Sequence, residues 1–318
     1  MGHYTGRIRL EDNVTMQGLI AVARRWAAIL AAAGRNWLDS QAFIYAAALA
    51  FFTVFSIAPV MIVAVTVVGV VLGPSAAEGE LMGQLQDVVG EQAAQVVETA
   101  VVNSKLDRSG WLPTLAGIGA IVLGATTVFA QMQQSLNAIW DVTPRPRQGG
   151  IWTFIKARLL SMTVVLAIGF VLLVSLALSV TLRAVIVFAE QWLPVPGWSM
   201  VVAEIVISLT VVTLLFAAIF KVLPDVVLSL RDVLIGGLVT ALLFTLGRSL
   251  IAMYLANTAT ASTYGAAGSL ALLLLWVNYS SLILLFGAAV TRAQFEAHGG
   301  VVKPRNGAVR VHREWVEG

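Results

Sequence analysis

Long apolar stretches alternate with short polar connections along most of this chain, and their lengths predict helices that cross a bilayer. A helix needs about 20 mainly apolar residues for that. Six segments qualify, approximately 42–72, 111–137, 159–188, 200–222, 233–255 and 269–291. The first and third exceed the hydrocarbon thickness, so they are expected to tilt or extend past it, and Pro59 is expected to kink the first. "YGAAGS", Tyr264 to Ser269, reads as an uncharged loop before the last span. The expected fold class is all-α: a polytopic membrane domain with six transmembrane helices over residues 41–292, an N-terminal segment 1–40 and a tail 293–318.

Two polar stretches carry a helical rhythm of their own. "GLIAVARRWAAILAAAGRN", Gly18 to Asn36, predicts a basic amphipathic helix at the membrane surface, with attraction to anionic lipid as its role. In the loop 73–110, Leu81, Leu85, Val88 and Val89, then Val96, Val97, Ala100 and Val101, predict a short helical hairpin broken near Gly90. That hairpin could cap the mouth of the domain, lie in the interface, or pack on its own spans.

Composition supports the membrane reading. The chain is 58% hydrophobic and 12% charged, where a soluble domain has about 45–50% and about 25%. Net charge is only +3, so the basic residues inform through their positions. Of 20 lysines and arginines, 16 fall before the first span, after the second, after the fourth or at the end. By the positive-inside rule both termini are then cytoplasmic, and the loop 73–110, with six acidic and two basic residues, faces outward. No secretory leader is read before Ala42, so the first span is expected to direct insertion. The absence of cysteine excludes disulfides and thiolate chemistry.

Arg248 breaks the apolar pattern of the fifth segment. A charge at mid-bilayer costs roughly 2.5 to 3.5 kcal/mol on insertion scales, so it is expected to face protein or a wet cavity. Gly237, Ala241, Thr245, Arg248 and Ala252 share one helix face, and small residues there admit a close neighbour. At about 1.5 Å per residue from Asp232, Arg248 lies roughly 24 Å across. Asn278, Tyr279 and Ser280 of the last segment sit at comparable depth, and Glu204 is the nearest candidate counter-charge. Two readings stand: a contact with Glu204 or a backbone carbonyl that fixes packing, or a cationic anchor for an anionic head group, which the planar guanidinium binds bidentately. A second cluster, Gln131, Gln134, Ser135 and Asn137 in "QMQQSLNAIWD", is either interfacial solvation or a polar inner gate to the same cavity.

Other chemistry has no footing. His3, His298 and His312 lie in terminal segments without a carboxylate pair at metal spacing, and there is no P-loop, nucleophile elbow or aromatic and basic RNA platform. No catalytic residue, metal, cofactor or nucleic-acid partner is expected, and no enzyme.

Five ordered blocks, "AFIYAAALAFFTVFSIAPVMIV" (Ala42 to Val63), "QMQQSLNAIWDV" (Gln131 to Val142), "FIKARLLSM" (Phe154 to Met162), "FKVLPDVVLSLRDVLIGGLVTALLF" (Phe220 to Phe244) and "YGAAGSLALLLLWVNYSSLILLFGAAV" (Tyr264 to Val290), together resemble the YihY/BrkB family of bacterial inner-membrane proteins over about residues 35–295. The resemblance implies six spans, cytoplasmic ends and residence in the inner membrane. Members have been labelled ribonuclease BN or named for serum resistance and virulence, and a role in moving lipids has been proposed for them. The nuclease label fits this chain badly, since RNA hydrolysis needs a metal or acid/base set in a wet, basic cleft. The expected function is a transporter or facilitator of an anionic lipid or lipid-linked envelope precursor, with membrane lipids as partners. The alternatives are a non-transporting scaffold or assembly factor for the envelope and, third, an ion or proton-coupled exchanger.

Orientation is directly testable. Glu91→Cys should react with an impermeant maleimide in intact cells and Gln148→Cys should not; labelling of the second alone inverts the topology.

Overall fold

The computed structural model describes residues 5–89, 94–95, 97–99, 101, 111–145, 197–257, 261–305 and 307–311. Nearly all of them are helical. The helices are α1 (Thr5–Asp39), α2 (Ala42–Leu72), α3 (Pro74–Val89), α4 (Trp111–Ile139), α5 (Gly197–Val222), α6 (Leu230–Asn257) and α7 (Ala261–Ala297), with two three-residue strands, β1 (Val142–Pro144) and β2 (Ala308–Arg310). Among the described residues four stretches are long and apolar enough to cross a membrane: Ala42–Ile62, Ile205–Val222, Leu230–Leu250 and Leu270–Ala297. They coincide with the first, fourth, fifth and sixth segments of the sequence pattern. Helix α4 occupies the second, and the third, 159–188, lies outside the described residues.

Helix α1 begins well before Gly18, and a one-residue left-handed turn at Gln41 (φ 57°) redirects the chain into α2. Its amphipathic character has a specific outlet: Ile29 and Ala33 are buried, and Trp37 Nε1–H donates to the Leu282 carbonyl of α7 at 3.2 Å. Arg24, Arg25 and Arg35 stay exposed. Helix α2 runs through Pro59, whose ring rests where α4 has no side chain: a Cβ on Gly124 would meet Pro59 Cγ at 2.7 Å. After Gly73 (φ 85°) the chain turns into α3. There Met82 is buried and Leu81 and Leu85 are partly buried, and together with Val97 and Val101 they pack against Ala58 and Met61 of α2 and Leu273 and Trp276 of α7.

Helices α6 and α7 interlock by a reciprocal pair of Gly-x-x-x-Thr steps. Thr240 lies over Gly287, and Thr291 lies over Gly236. Each threonine hydroxyl donates back to its own helix four residues earlier, Thr240 to the Gly236 carbonyl at 2.6 Å and Thr291 to the Gly287 carbonyl at 2.8 Å. The hydroxyls are thus satisfied inside the interface, and the glycines let the backbones approach.

One expectation is corrected. Tyr264–Ser269 is not a loop but part of α7, which starts at Ala261; continuing the backbone ladder of a long helix outweighs the roughly 1 kcal/mol that each glycine costs it. The fold is mostly helical, as expected, and one small sheet is added to it. Beyond Gly299 (φ 78°) the chain turns back, and β2 pairs antiparallel with β1, matching Val142 with Arg310 and Pro144 with Ala308. Val302 and Ala308 are buried. Strands this short lie below any periodicity that the sequence displays.

Gly287→Ala should lower the stability of the purified protein by about 1–3 kcal/mol, because the new methyl group overlaps Thr240 in a packed interface. Gly34→Ala, where an added Cβ meets nothing within 4 Å, should be neutral or slightly stabilising. Thermal unfolding of the two variants side by side checks the contrast.

Candidate functional site

The described polar groups gather at one end of the bundle, where α2 and α6 begin and α4, α5 and α7 end. The last stretch, Leu270–Ala297, has 28 residues and spans roughly 42 Å as helix, so its final turns rise beyond a hydrocarbon core of about 30 Å. Arg292 stands on those turns. Its Nη1 donates to the Ile139 carbonyl at the end of α4 (2.6 Å) and to Asp141 Oδ2 (2.7 Å), and its Nε to Glu296 Oε1 (2.9 Å). With the Asn36 amide oxygen turned toward it, Asn36 of α1 accepts from the same guanidinium at 3.0 and 3.2 Å and donates to Ser40 Oγ at 3.2 Å. One side chain therefore ties α1, α4 and α7 together.

Asp225, in the turn between α5 and α6, forms the second node. Its carboxylate accepts from Gln133 Nε2 (3.2 Å) and Asn137 Nδ2 (2.8 Å), and its own N–H donates to Asn137 Oδ1 (2.8 Å). Its carbonyl accepts from the N–H of Arg305 at 2.8 Å, and the Val227 N–H donates to the Lys303 carbonyl at 3.0 Å, so the chain beyond α7 is clamped against this turn. Arg305 also donates to the carbonyls of Lys221 and Val222, covering the open C-terminal end of α5. Helix α6 then starts on a capping box: the Ser229 N–H donates to Asp232 Oδ2 at 2.8 Å and the Asp232 N–H to Ser229 Oγ at 3.4 Å.

Beside these nodes lies a cavity of about 430 Å³, whose polar wall is Tyr45, Gln133, Gln134, Asn137, Asp141 and Thr143. Gln134 and Asn137 of the sequence-predicted inner cluster line it, Asn137 buried and Gln134 exposed. Gln131 is half-buried and does not line it; its carbonyl accepts from Ser135 Oγ at 2.8 Å. Gln133, Asp141, Asp225 and Arg292 are the residues that sequence reasoning passed over as candidates. Three of them, Gln133, Asp141 and Asp225, stand inside quoted blocks, and Arg292 served only to orient the chain.

The other predicted cluster is far from this end. Along the face proposed for α6, Gly237 and Ala241 are buried and Thr245 and Arg248 are exposed. Gly237 packs against Thr213 and Ala217 of α5. The two helices are antiparallel, so Arg248 comes level with the backbone near residue 204; the Glu204 side chain lies outside the described residues. Among the described residues Arg248 makes no ion pair. Tyr279 packs its ring on Gly247, one residue along α6 from Arg248, with Asn278 and Ser280 half-buried beside it. Ser280 Oγ has no hydrogen-bond partner among the described residues. Arg248, Asn278, Tyr279 and Ser280 do not line the cavity at the opposite end, so the two clusters are separate places. No group of three histidine, aspartate or glutamate side chains that could hold a metal occurs among the described residues.

The Asp225 node predicts a swap experiment. Asp225→Asn alone puts an amide NH2 against one of two donors and should cost about 1–3 kcal/mol. Asn137→Asp combined with Asp225→Asn restores a donor for every acceptor and should recover most of the loss. A double-mutant cycle by thermal unfolding, with no coupling between the two positions, would contradict the assignment.

Comparison with known proteins places this architecture. A family model described as "Virulence factor BrkB" matches residues 33–309. A UPF0761 membrane protein of Psychromonas ingrahamii is 29% identical over 259 residues, which is 76% of this chain and 79% of that protein. UPF0761 membrane proteins of Xanthomonas axonopodis pv. citri and Xanthomonas oryzae pv. oryzae are 31% identical over 266 residues, covering 80% of this chain and 58% of theirs. The chain thus spans little more than half the length of those Xanthomonas relatives. No solved structure matches it. The family match continues past α7 into β2 and encloses Asn36, Gln133, Asn137, Asp141, Asp225, Arg292 and Arg305, so the whole network at the polar end falls within it, and the chain is a multi-pass membrane protein that belongs to the virulence factor BrkB family.

Proposed function

We propose that this protein carries or facilitates the passage of an amphiphile with an anionic head, a lipid or lipid-linked envelope precursor, across the bacterial inner membrane. In this reading the membrane domain has six spans. That helices α4 and α5 both run toward the polar end supports a further crossing between them, which we assign to the apolar segment 159–188. The weight of lysine and arginine at the polar end favours a cytoplasmic location for that end and both termini. The outer loop 73–110 then faces the other side.

The observation that carries the proposal is Arg248. It stands in a stretch apolar enough to cross the membrane, Leu230–Leu250, yet its side chain is exposed and has no ion-pair partner among the described residues. Roughly 24 Å from Asp232 by helix rise, its flexible stem can lift the guanidinium to head-group level. A phosphate there meets a permanent charge and a bidentate fork. Alongside, Val206, Leu209, Leu214, Leu234 and Leu238 line an apolar groove of about 220 Å³ between α5 and α6, a surface suited to an acyl chain. The proposal involves no chemical conversion of the amphiphile.

The test is translocation of a fluorescent phosphatidylglycerol in proteoliposomes. Arg248→Gln should slow it by about tenfold, as expected for loss of a charge-assisted hydrogen bond, with the melting temperature unchanged. Arg248→Lys should keep part of the rate. A wild-type protein that moves no lipid, or an Arg248→Gln variant as fast as wild type, overturns the reading.

A further inference from the structure

We propose that the cavity at the polar end is a binding site for a primary ammonium group. The proposal does not rest on the anionic head-group reading of Arg248, which concerns the far end of α6.

The charge of the wall selects the ligand. Among the described residues Asp141, ion-paired through Oδ2 with Arg292 behind it, is the one acidic residue that lines the cavity, and neither lysine nor arginine is in the lining; Arg145 and Arg310, close by in the chain, are exposed and outside it. Asn137 and Ala138, in the last turn of α4, form part of the wall. Immediately behind the wall stands Asp225, which makes no ion pair among the described residues. An anion would face both carboxylates.

The hydrogen-bonding groups point the same way. Asp225 takes the NH2 groups of both Gln133 and Asn137. What Gln133 retains for a ligand is its carbonyl oxygen, an acceptor for N–H. Tyr45, half-buried in the wall, presents an aromatic ring of the kind that attracts cations. Ala130, Ala138, Val142 and Val311 supply apolar surface beside these acceptors, where the methylenes next to an amine can pack. At about 430 Å³ the space is much larger than a bare metal ion needs. Acceptors, one carboxylate, an aromatic ring and apolar patches in one cavity match an organic amine. Its source is either an ethanolamine lipid head or a soluble amine.

The experiment uses the full chain in nanodiscs of pure phosphatidylglycerol, titrated with ethanolamine and with choline by calorimetry, against empty nanodiscs. Ethanolamine should bind saturably at one site, and choline, which has no N–H to donate, at least about tenfold more weakly. Gln134→Lys, at an exposed position of the rim, should weaken ethanolamine binding by about tenfold or more through charge repulsion, and Gln134→Glu should preserve or tighten it. Tyr45→Leu, which keeps bulk and removes the ring face, should weaken it independently of any charge at 134. Repeating the titration with phosphatidylethanolamine in the nanodiscs separates the sources: a reduced apparent affinity means that the lipid head occupies the site, and an unchanged one means a soluble amine. Absence of saturable ethanolamine binding in phosphatidylglycerol nanodiscs overturns the proposal. So does binding that is indifferent to Gln134→Lys and Tyr45→Leu in folded protein.

Discussion

The guanidinium of Arg292 is the point on which the polar end of this protein depends. It reaches the last carbonyl of α4, the carboxylate of Asp141 immediately beyond it, Glu296 one turn further along α7, and Asn36 near the end of α1. Helix ends leave carbonyls that need donors, and at the edge of a membrane water supplies them only partly. Arginine meets that need with several donors in a rigid plane and with a charge that pairs to Asp141. Removing one partner from such a buried set costs about 3–5 kcal/mol, mainly because the others are left uncompensated. Asp141 itself adopts a left-handed backbone (φ 48°), which sends the chain directly into β1. The small sheet, the return of the C-terminal segment and the wall of the cavity all follow from that turn.

Within the apolar layer the spans hold together by a different device. Lipid tails are as apolar as leucine, so burial gives little reason for helices to prefer one another there, and close packing has to supply it. Gly236 and Gly287 let α6 and α7 approach, and Thr240 and Thr291 fill the space that each glycine leaves. Pro59 against Gly124 does the same between α2 and α4. A missing side chain on one helix receives a shaped one from the next. The arrangement is rigid where it occurs and leaves other faces open, including the α5 and α6 surface that ends at Arg248.

Two chemically opposite places result. At the far end of α6 the side chain of Arg248 is exposed within a stretch apolar enough to cross a membrane. At the polar end a cavity walled by amides, a carboxylate and an aromatic ring has no cationic side chain among the described residues of its lining. Phosphate recognition suits the first and ammonium recognition the second.

Much was legible in the sequence because the membrane imposes it locally. Apolar runs of bilayer length located α2, α4, α5, α6 and the core of α7, since a backbone inside hydrocarbon must satisfy its own hydrogen bonds and does so as helix whatever surrounds it. Polar interruptions such as Arg248 and the run from Gln131 to Asn137 were visible for the same reason, as costs against that background. The pairing of Gln133 and Asn137 with Asp225, of Asn36 and Asp141 with Arg292, and of β1 with β2 was not legible. These contacts join residues 88 to 256 positions apart, and short polar side chains outside the hydrocarbon leave no periodic trace of their partners. Helix existence across the apolar layer was thus determined by the sequence alone, through the solvent that each segment must tolerate, whereas α1 and α7 run further than their sequence patterns. Which polar groups meet at the end of the bundle, and what the cavity between them can bind, only the tertiary structure decided, because hydrogen bonds and ion pairs are set by distance in space.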